Sequence, residues 1–257
     1  MHKILQVTDI HLQADPAEKL QGAVIEQRWH RVLAHIQAHH LDADLLMLTG
    51  DLVHHSGPVA YQRLTRDIDA LGLPAVWIPG NHDNVEEMSR YGSVALNRDT
   101  VDLGGWRVVL LNSTAAPDGR GSGSLSSSEI QRLRNELDTQ EDTHLLLVLH
   151  HNPLALGSVW QDAIALKNAD QFWPLLENST HVRGIIFGHV HQQWTLNHKG
   201  IALFSSPAVA PQYKAGCSGV TLEDDPALTG PAYRVYHLRP DGDITAETVR
   251  PVDSVAP

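Results

Sequence analysis

A single cysteine, Cys217, stands among 257 residues, so no internal disulfide can form and a reducing, cytoplasmic setting is expected. Long hydrophobic runs are missing too: nothing approaches the roughly 18 apolar residues that a membrane-spanning helix needs, so no membrane partner is expected. Residues Met1 to Asp9 turn polar after a few apolar positions, lack the apolar stretch of a secretion signal and read as a first strand. Basic residues are scarce, 19 against 30 acidic, for a formal net charge of −11. That deficit excludes a duplex-nucleic-acid binder, which needs a basic footprint. It also weighs against an anionic substrate, unless bound cations invert the local field. The glycine-rich stretch Gly119 to Gly123 lacks the Gly-Lys-Ser/Thr pair of a P-loop, which excludes a phosphate cradle of that kind. Histidine, by contrast, is plentiful at 17 residues. The remaining composition, 42% hydrophobic and 19% charged, is that of a globular chain long enough to bury a core unaided.

Strand-like and helical patterns alternate through the first three quarters. Ile4–Val7, Leu45–Leu48, Ala75–Ile78, Trp106–Leu111, Leu145–Leu149 and Gly184–Phe187 read as strands. Between them, Trp29, Val32, Leu33 and Ile36 mark one helical face, and Tyr61, Leu64, Ile68 and Leu71 another, started by Ser56 and Pro58 and stopped by Gly72. Ser126 with Glu129 forms a capping box ahead of a third helix. After residue 192 the helical pattern stops, and Trp194–Leu196, Ile201–Phe204, Ser218–Leu222, Tyr233–Leu238 and Ile244–Val249 read as short strands. No repeat or linker divides the chain: residues 1–250 are expected to form one layered α/β domain, with 251–257 a frayed tail.

One regularity carries the chemistry. The strand runs end in polar clusters: Asp9-x-His11, Gly50-Asp51, Gly80-Asn81-His82-Asp83, His150-His151 and Gly188-His189-x-His191. In open α/β sheets ligands bind outside the carboxyl ends of the strands, so the five clusters converge on one place. Their donors are carboxylate, imidazole and one amide, with no thiolate. That set suits two divalent cations, Fe2+ or Mn2+ first, with Zn2+, Co2+ or Ni2+ as alternatives.

These motifs, in this order, resemble those of the calcineurin-like metallophosphoesterase superfamily over nearly the whole chain. Within it the sequence is similar to the bacterial class III 3′,5′-cyclic AMP phosphodiesterases, on the stretches 6–12, 150–154, 166–169, 188–192 and 205–212. The resemblance implies a four-layer α/β/β/α sandwich of two mixed sheets flanked by helices. It implies hydrolysis of 3′,5′-cyclic AMP to 5′-AMP by a hydroxide bridging two cations. By position, Asp9, His11 and His191 match the ligands of one metal, Asn81, His150 and His189 those of the second, and Asp51 the carboxylate between them. His82 matches a histidine that faces the phosphate and serves as candidate acid. Substrate contact is expected from His11, Asp51, Asn81, His82, Asn168 and His191. One departure is Asn152, where the family pattern often has proline.

Alternatives stay open at this point. His151 is a second candidate for the place given to His150, and Asn168 is equally readable as a loop or cap residue. Asp83 either orients His82 or caps the following helix. His30, His35, His39 and His40 read as surface imidazoles, and His54, His55, His181, His198 and His237 have no motif neighbour. The same metal core would also serve glycerophosphodiesters, 2′,3′-cyclic nucleotides or phosphomonoesters, and a nucleotide-binding module without turnover is a further reading.

Overall fold

Strand runs that are apolar at successive positions must be buried on both faces, and the computed structural model, which describes residues 1–139, 143–177 and 179–252, buries them between layers. In chain order the elements begin β1 (His2–Val7), β2 (Lys19–Leu20), β3 (Ala23–Val24), α1 (Ile25–His39), β4 (Leu45–Thr49), α2 (Pro58–Leu71), β5 (Ala75–Ile78) and α3 (Val85–Tyr91). They continue with β6 (Thr100–Leu103), β7 (Trp106–Leu110), α4 (Ser127–Thr139), β8 (His144–Val148), α5 (Val159–Asp162), α6 (Ala169–Leu176) and β9 (Val182–Phe187). The last are β10 (Trp194–His198), β11 (Ile201–Ser205), β12 (Tyr233–Leu238) and β13 (Ile244–Val249).

Two mixed sheets result. The first has the order β13-β12-β1-β4-β5, parallel from β1 to β5 and antiparallel at β12 and β13. The second has the order β10-β11-β9-β8-β7-β6, parallel in its centre with antiparallel edge strands. Side-chain alternation then assigns the layers. In β4, Leu45 and Met47 point to the core between the sheets, where they meet Val108, Leu146 and Phe204. Leu46 and Leu48 point the other way, against Trp29 and Val32 of α1 and Leu64 of α2. On the far side, Leu145 and Leu147 of β8 pack with Leu133 of α4 and Phe172 of α6. The order helix, sheet, sheet, helix follows. Among the described residues no helix is long and apolar enough to cross a membrane.

Several expectations need correction. Ser218–Leu222 forms no strand. These residues are exposed, and a single bridge between Tyr213 and Leu222 is all the pairing there. β6 and the helices α5 and α6 have no counterpart in the periodicity reading, and α3 is anticipated only as the helix after Asp83, because each is too short to show a period. Ser56 does not cap α2; its hydroxyl donates to the His54 carbonyl, and Gly57 occupies the cap. The capping box before α4 is half made: Ser126 Oγ accepts from Glu129 N at 3.1 Å, whereas the Glu129 carboxylate accepts from Asn112 N and Arg132. Of the expected tail, residues 253–257 lie outside the described residues.

Candidate metal centre

The parallel strands β1, β4 and β5 of one sheet and β8 and β9 of the other deliver their carboxyl ends to the same edge. The chain turns sharply there. Asp9, His11, Asp51, His189 and His191 all adopt left-handed backbone angles, with φ between 50° and 71°. Non-glycine residues rarely do so, at a cost of about 1–3 kcal/mol each that persists only where the surroundings enforce it. Gly50, at φ 93°, also needs to be glycine, since a Cβ there would sit 2.7 Å from the His150 ring carbon Cγ. Gly80 and Gly188 have ordinary φ, but a side chain at either would collide with Asp51 or with Thr8.

The enforcing bonds are visible. Asp9 N donates to Gly50 O, His11 N to Asp51 O and Leu12 N to Leu52 O, so the loops after β1 and β4 run side by side. Thr8 Oγ1 and His189 N both donate to Asp9 Oδ2, at 2.7 and 3.0 Å, which joins the two sheets through one carboxylate. His82 N donates to Asp51 Oδ1 at 2.8 Å.

What remains free on these side chains converges. His191 Nε2 lies 3.3 Å from Asp9 Oδ1, and His11 Nε2 lies 3.3 Å from His191 Nε2 and 3.6 Å from Asp51 Oδ2. His150 Nε2 lies 3.3 Å from Asp51 Oδ2 and 4.0 Å from Asp9 Oδ1. Asp9 Oδ1, Asn81 Oδ1, His150 Nε2 and His189 Nε2 are buried without a hydrogen-bond partner. Such atoms are costly to bury bare, and their presence together fits a site built for cations. Asp51 lies between the two groups. Its Oδ1 is committed to the His82 amide, so Oδ2 alone faces both His11 and His150.

The imidazoles are also set for ligation. His150 Nδ1 pairs with Thr49 O and His191 Nδ1 with Pro211 O, each at 2.8 Å. A carbonyl can only accept, so each Nδ1 carries the hydrogen and each neutral ring presents an Nε2 lone pair to the centre. His151 is different. Its Nδ1 pairs with Ser113 Oγ at 2.8 Å and its Nε2 with Gly121 O at 3.2 Å, so both nitrogens are engaged, although the ring stands beside those of His150 and His189. Between the two histidines, the geometry favours His150.

Without cations the charges redistribute among these residues. Burial opposes ionisation of Asp9, but His191 and His150 outweigh it and hold the carboxyl at about 2. Asp51 is likewise held well below its ordinary value, burial being overcome by His150 and His11. Burial works against an imidazolium at His150, yet Asp51 and Asp9 lift it to about 9, and Asp9 raises His191 in the same way. Burial and the facing His150 push His189 down to about 3, and burial lowers His11 despite Asp51.

Two residues fall outside the cluster. Asn168 spends its amide on one backbone: Oδ1 accepts from Leu125 N at 3.0 Å and Nδ2 donates to Leu125 O at 2.8 Å. It clamps the loop before α4 and stands at the N-cap position of α6, without a side-chain cap bond. Asp83 neither orients His82 nor caps α3. It accepts from Leu52 N, Val53 N, Gly80 N and Tyr61 Oη, while Asn84 Oδ1 caps the helix by accepting from Glu87 N.

Two histidines that the motif reading passed over belong here. His54 Nδ1 lies 3.0 Å from His11 Nδ1, and its ring stacks on His82 with centroids 4.6 Å apart and planes at 20°. His55 meets His82 from another side at 4.5 Å. No motif in the sequence marks them: the parallel bridge between Leu12 and Val53, with His54 N donating to Leu12 O, lays this segment along the loop after β1, and the His54 side chain then reaches His11. Beside this wall, His82, Asn81, His55, Arg120, Thr114 and Ser122 line a cavity of about 400 Å³.

A fold of two mixed sheets with a histidine–aspartate centre at their shared edge defines a dinuclear metallophosphoesterase. The calcineurin-like phosphoesterase family matches residues 2–193, and the chain belongs to it. Among its relatives is the 3′,5′-cyclic adenosine monophosphate phosphodiesterase CpdA of Escherichia coli K12, 34% identical over 98% of this chain and 90% of that one. The CpdA of Vibrio vulnificus is 33% identical over 96% and 89%. A dimetal phosphatase from Danio rerio superposes with a TM-score of 0.66 over 98% of this chain and 99% of that one, at 12% identity, a likeness of fold alone. Members of this family use a dinuclear metal centre, and the clusters of Asp and His described above can hold cations.

Proposed function

We propose that the protein hydrolyses 3′,5′-cyclic AMP to 5′-AMP. The observation that carries the reaction class is the set of bare, buried ligand atoms on Asp9, Asn81, His150 and His189, with Asp51 within reach of Asp9 and His150. The substrate follows from relatives about one third identical over nearly full length whose names state that activity. A reducing, cytoplasmic site of action, with Cys217 the only cysteine, belongs to the same reading.

Asp9, His11 and His191 would hold one cation, Asn81, His150 and His189 the other, with Asp51 Oδ2 shared. The oxygen and nitrogen donors suit Fe2+ or Mn2+. When bound, the two cations supply Lewis-acid polarisation of the phosphoryl group and a lowered pKa for water. The chain's own residues do the rest. Asn81 would turn its Oδ1 to a cation and leave its amide N–H groups for the phosphoryl oxygens, where charge grows. His82, fixed through its amide to Asp51, would bring its ring to the leaving 3′ oxygen and protonate it. Burial lowers the His82 imidazolium although Asp51 opposes this, so the negative phosphate of the substrate must help hold that proton in place.

The test is a substrate panel on metal-reconstituted protein. Cyclic AMP should be preferred in kcat/KM over glycerophosphodiesters and phosphomonoesters. A tenfold preference the other way, about 1.4 kcal/mol of transition-state stabilisation, would end the cyclic nucleotide reading.

A further inference from the structure

We propose that His54 is a positioning residue for this hydrolysis, with two separable duties: its Nδ1 fixes the ring of His11, and its face seats the ring of His82. The inference rests on the roles given above to His11 and His82.

The first duty follows from comparing the ligand histidines. A ligating imidazole needs its second nitrogen held, so that ring orientation and tautomer are set before the cation arrives. For His150 and His191 the holder is a main-chain carbonyl, Thr49 O or Pro211 O. His11 is held by a side chain, since its Nδ1 faces His54 Nδ1 at 3.0 Å. When His11 donates in that bond, its Nε2 presents a lone pair toward Asp51 and His191. His54 accepts at Nδ1 in its Nε2–H tautomer, and its backbone is anchored independently. Its N donates to Leu12 O at 2.9 Å, beside the bridge between Leu12 and Val53, and its carbonyl accepts from Ser56 Oγ.

The second duty follows from the rings. His82 Nδ1 is buried without a partner, so no hydrogen bond at that atom orients the ring. Contacts must do it instead. His54 stacks nearly parallel at 4.6 Å, and His11 and His55 meet His82 at steeper angles of 76° and 45°. One side chain thus touches both a ligand of the first cation and the proposed proton donor.

Two substitutions separate the duties. His54→Phe keeps an aromatic face and removes the hydrogen bond; His54→Asn keeps a polar atom at the δ position and removes the face. Binding of Mn2+ to the metal-stripped chain is measured by calorimetry, without turnover. Separately, kcat/KM is measured on cyclic AMP and on bis-nitrophenyl phosphate at saturating Mn2+. His54→Phe should weaken one of the two binding events by about 10–100-fold, the usual effect of losing a ligand's outer partner, and leave the ratio of the two substrates within about threefold. His54→Asn should bind Mn2+ within about threefold of the unaltered chain and lower the cyclic AMP to nitrophenyl ratio by about tenfold or more, within the range of general acid help. Unchanged Mn2+ affinity in His54→Phe, or equal losses in both readouts for both variants, would overturn the proposal. Failure of the unaltered chain to turn over cyclic AMP would instead overturn the functional reading, and the binding arm would still decide the first duty.

Discussion

Gln6 Nε2 donates to Phe187 O at 2.9 Å, from β1 in one sheet to β9 in the other. The bond lies three residues before Asp9 and two before His189. The same amide nitrogen donates to Thr49 Oγ1 at 2.9 Å, and Tyr236 Oη donates to Gln6 Oε1 at 2.6 Å. One buried polar side chain therefore ties the strands that carry Asp9, Asp51 and His189 at a fixed spacing. The half-sites on the two sheets depend on that spacing, because Asp9 and His189 meet within hydrogen-bond distance across it.

Gln6→Leu should remove these bonds and strand the buried Tyr236 hydroxyl and Phe187 carbonyl. A loss of about 1–3 kcal/mol is expected for such an unpaired buried group. Chemical denaturation of the metal-stripped protein reads it directly. The double substitution with Tyr236→Phe should cost less than the sum of the single changes, because one orphaned partner is gone. Additive losses would mean that the two side chains are not coupled.

Metal uptake should release protons. In the metal-free protein His150, held at about 9, is protonated near neutral pH, and His191 is raised in the same direction. A cation needs both rings neutral, so binding near pH 7 should expel about one to two protons per chain. The sign is fixed: a raised imidazole pKa makes protons compete below it, so affinity should rise with pH and level off as pH passes about 9. Calorimetry in two buffers of different ionisation enthalpy measures the release. Zero release near neutral pH would contradict the charge pattern at His150 and Asp51.

His82→Ala should spare metal content and hurt cyclic AMP far more than a nitrophenyl diester. An alkoxide needs a proton as it leaves, and a nitrophenolate does not; the acid's share is typically about 10²–10⁴-fold. Equal losses on both substrates, with metals intact, would make His82 a phosphate-binding group and not the donor.

The five strand-end clusters were legible because each follows an apolar run whose burial dictates where it ends. Asp9, Asp51 and His189 stand at such ends in the structure, in backbone angles that glycine neighbours and cross-loop bonds enforce. What was not legible depends on partners distant in sequence. Asp83 stands next to the residue that does cap, Asn84; most of its own partners, Leu52 N, Val53 N and Tyr61 Oη, lie more than 20 residues earlier. Asn168 is claimed by Leu125, 43 residues away. His54 and His55 gained their place only when the loops after β1 and β4 aligned. The half-polar strand β6 was hidden because its pattern of burial is irregular, and Ser218–Leu222 misled because β-prone residues there find no sheet to join.

If Asp51 is shared by two cations while Asn81 serves one, elemental analysis of two variants will separate them. The unaltered chain loaded with Mn2+ and freed of excess should hold two equivalents, the number of a dinuclear centre. Asn81→Ala should lose mainly one, because Asn81 is assigned to the second cation only and its Oδ1 is buried without a hydrogen-bond partner. Asp51→Ala should lose both, since its Oδ2 lies within 3.6 Å of His11 and 3.3 Å of His150. Two equivalents retained in Asp51→Ala would contradict the shared site.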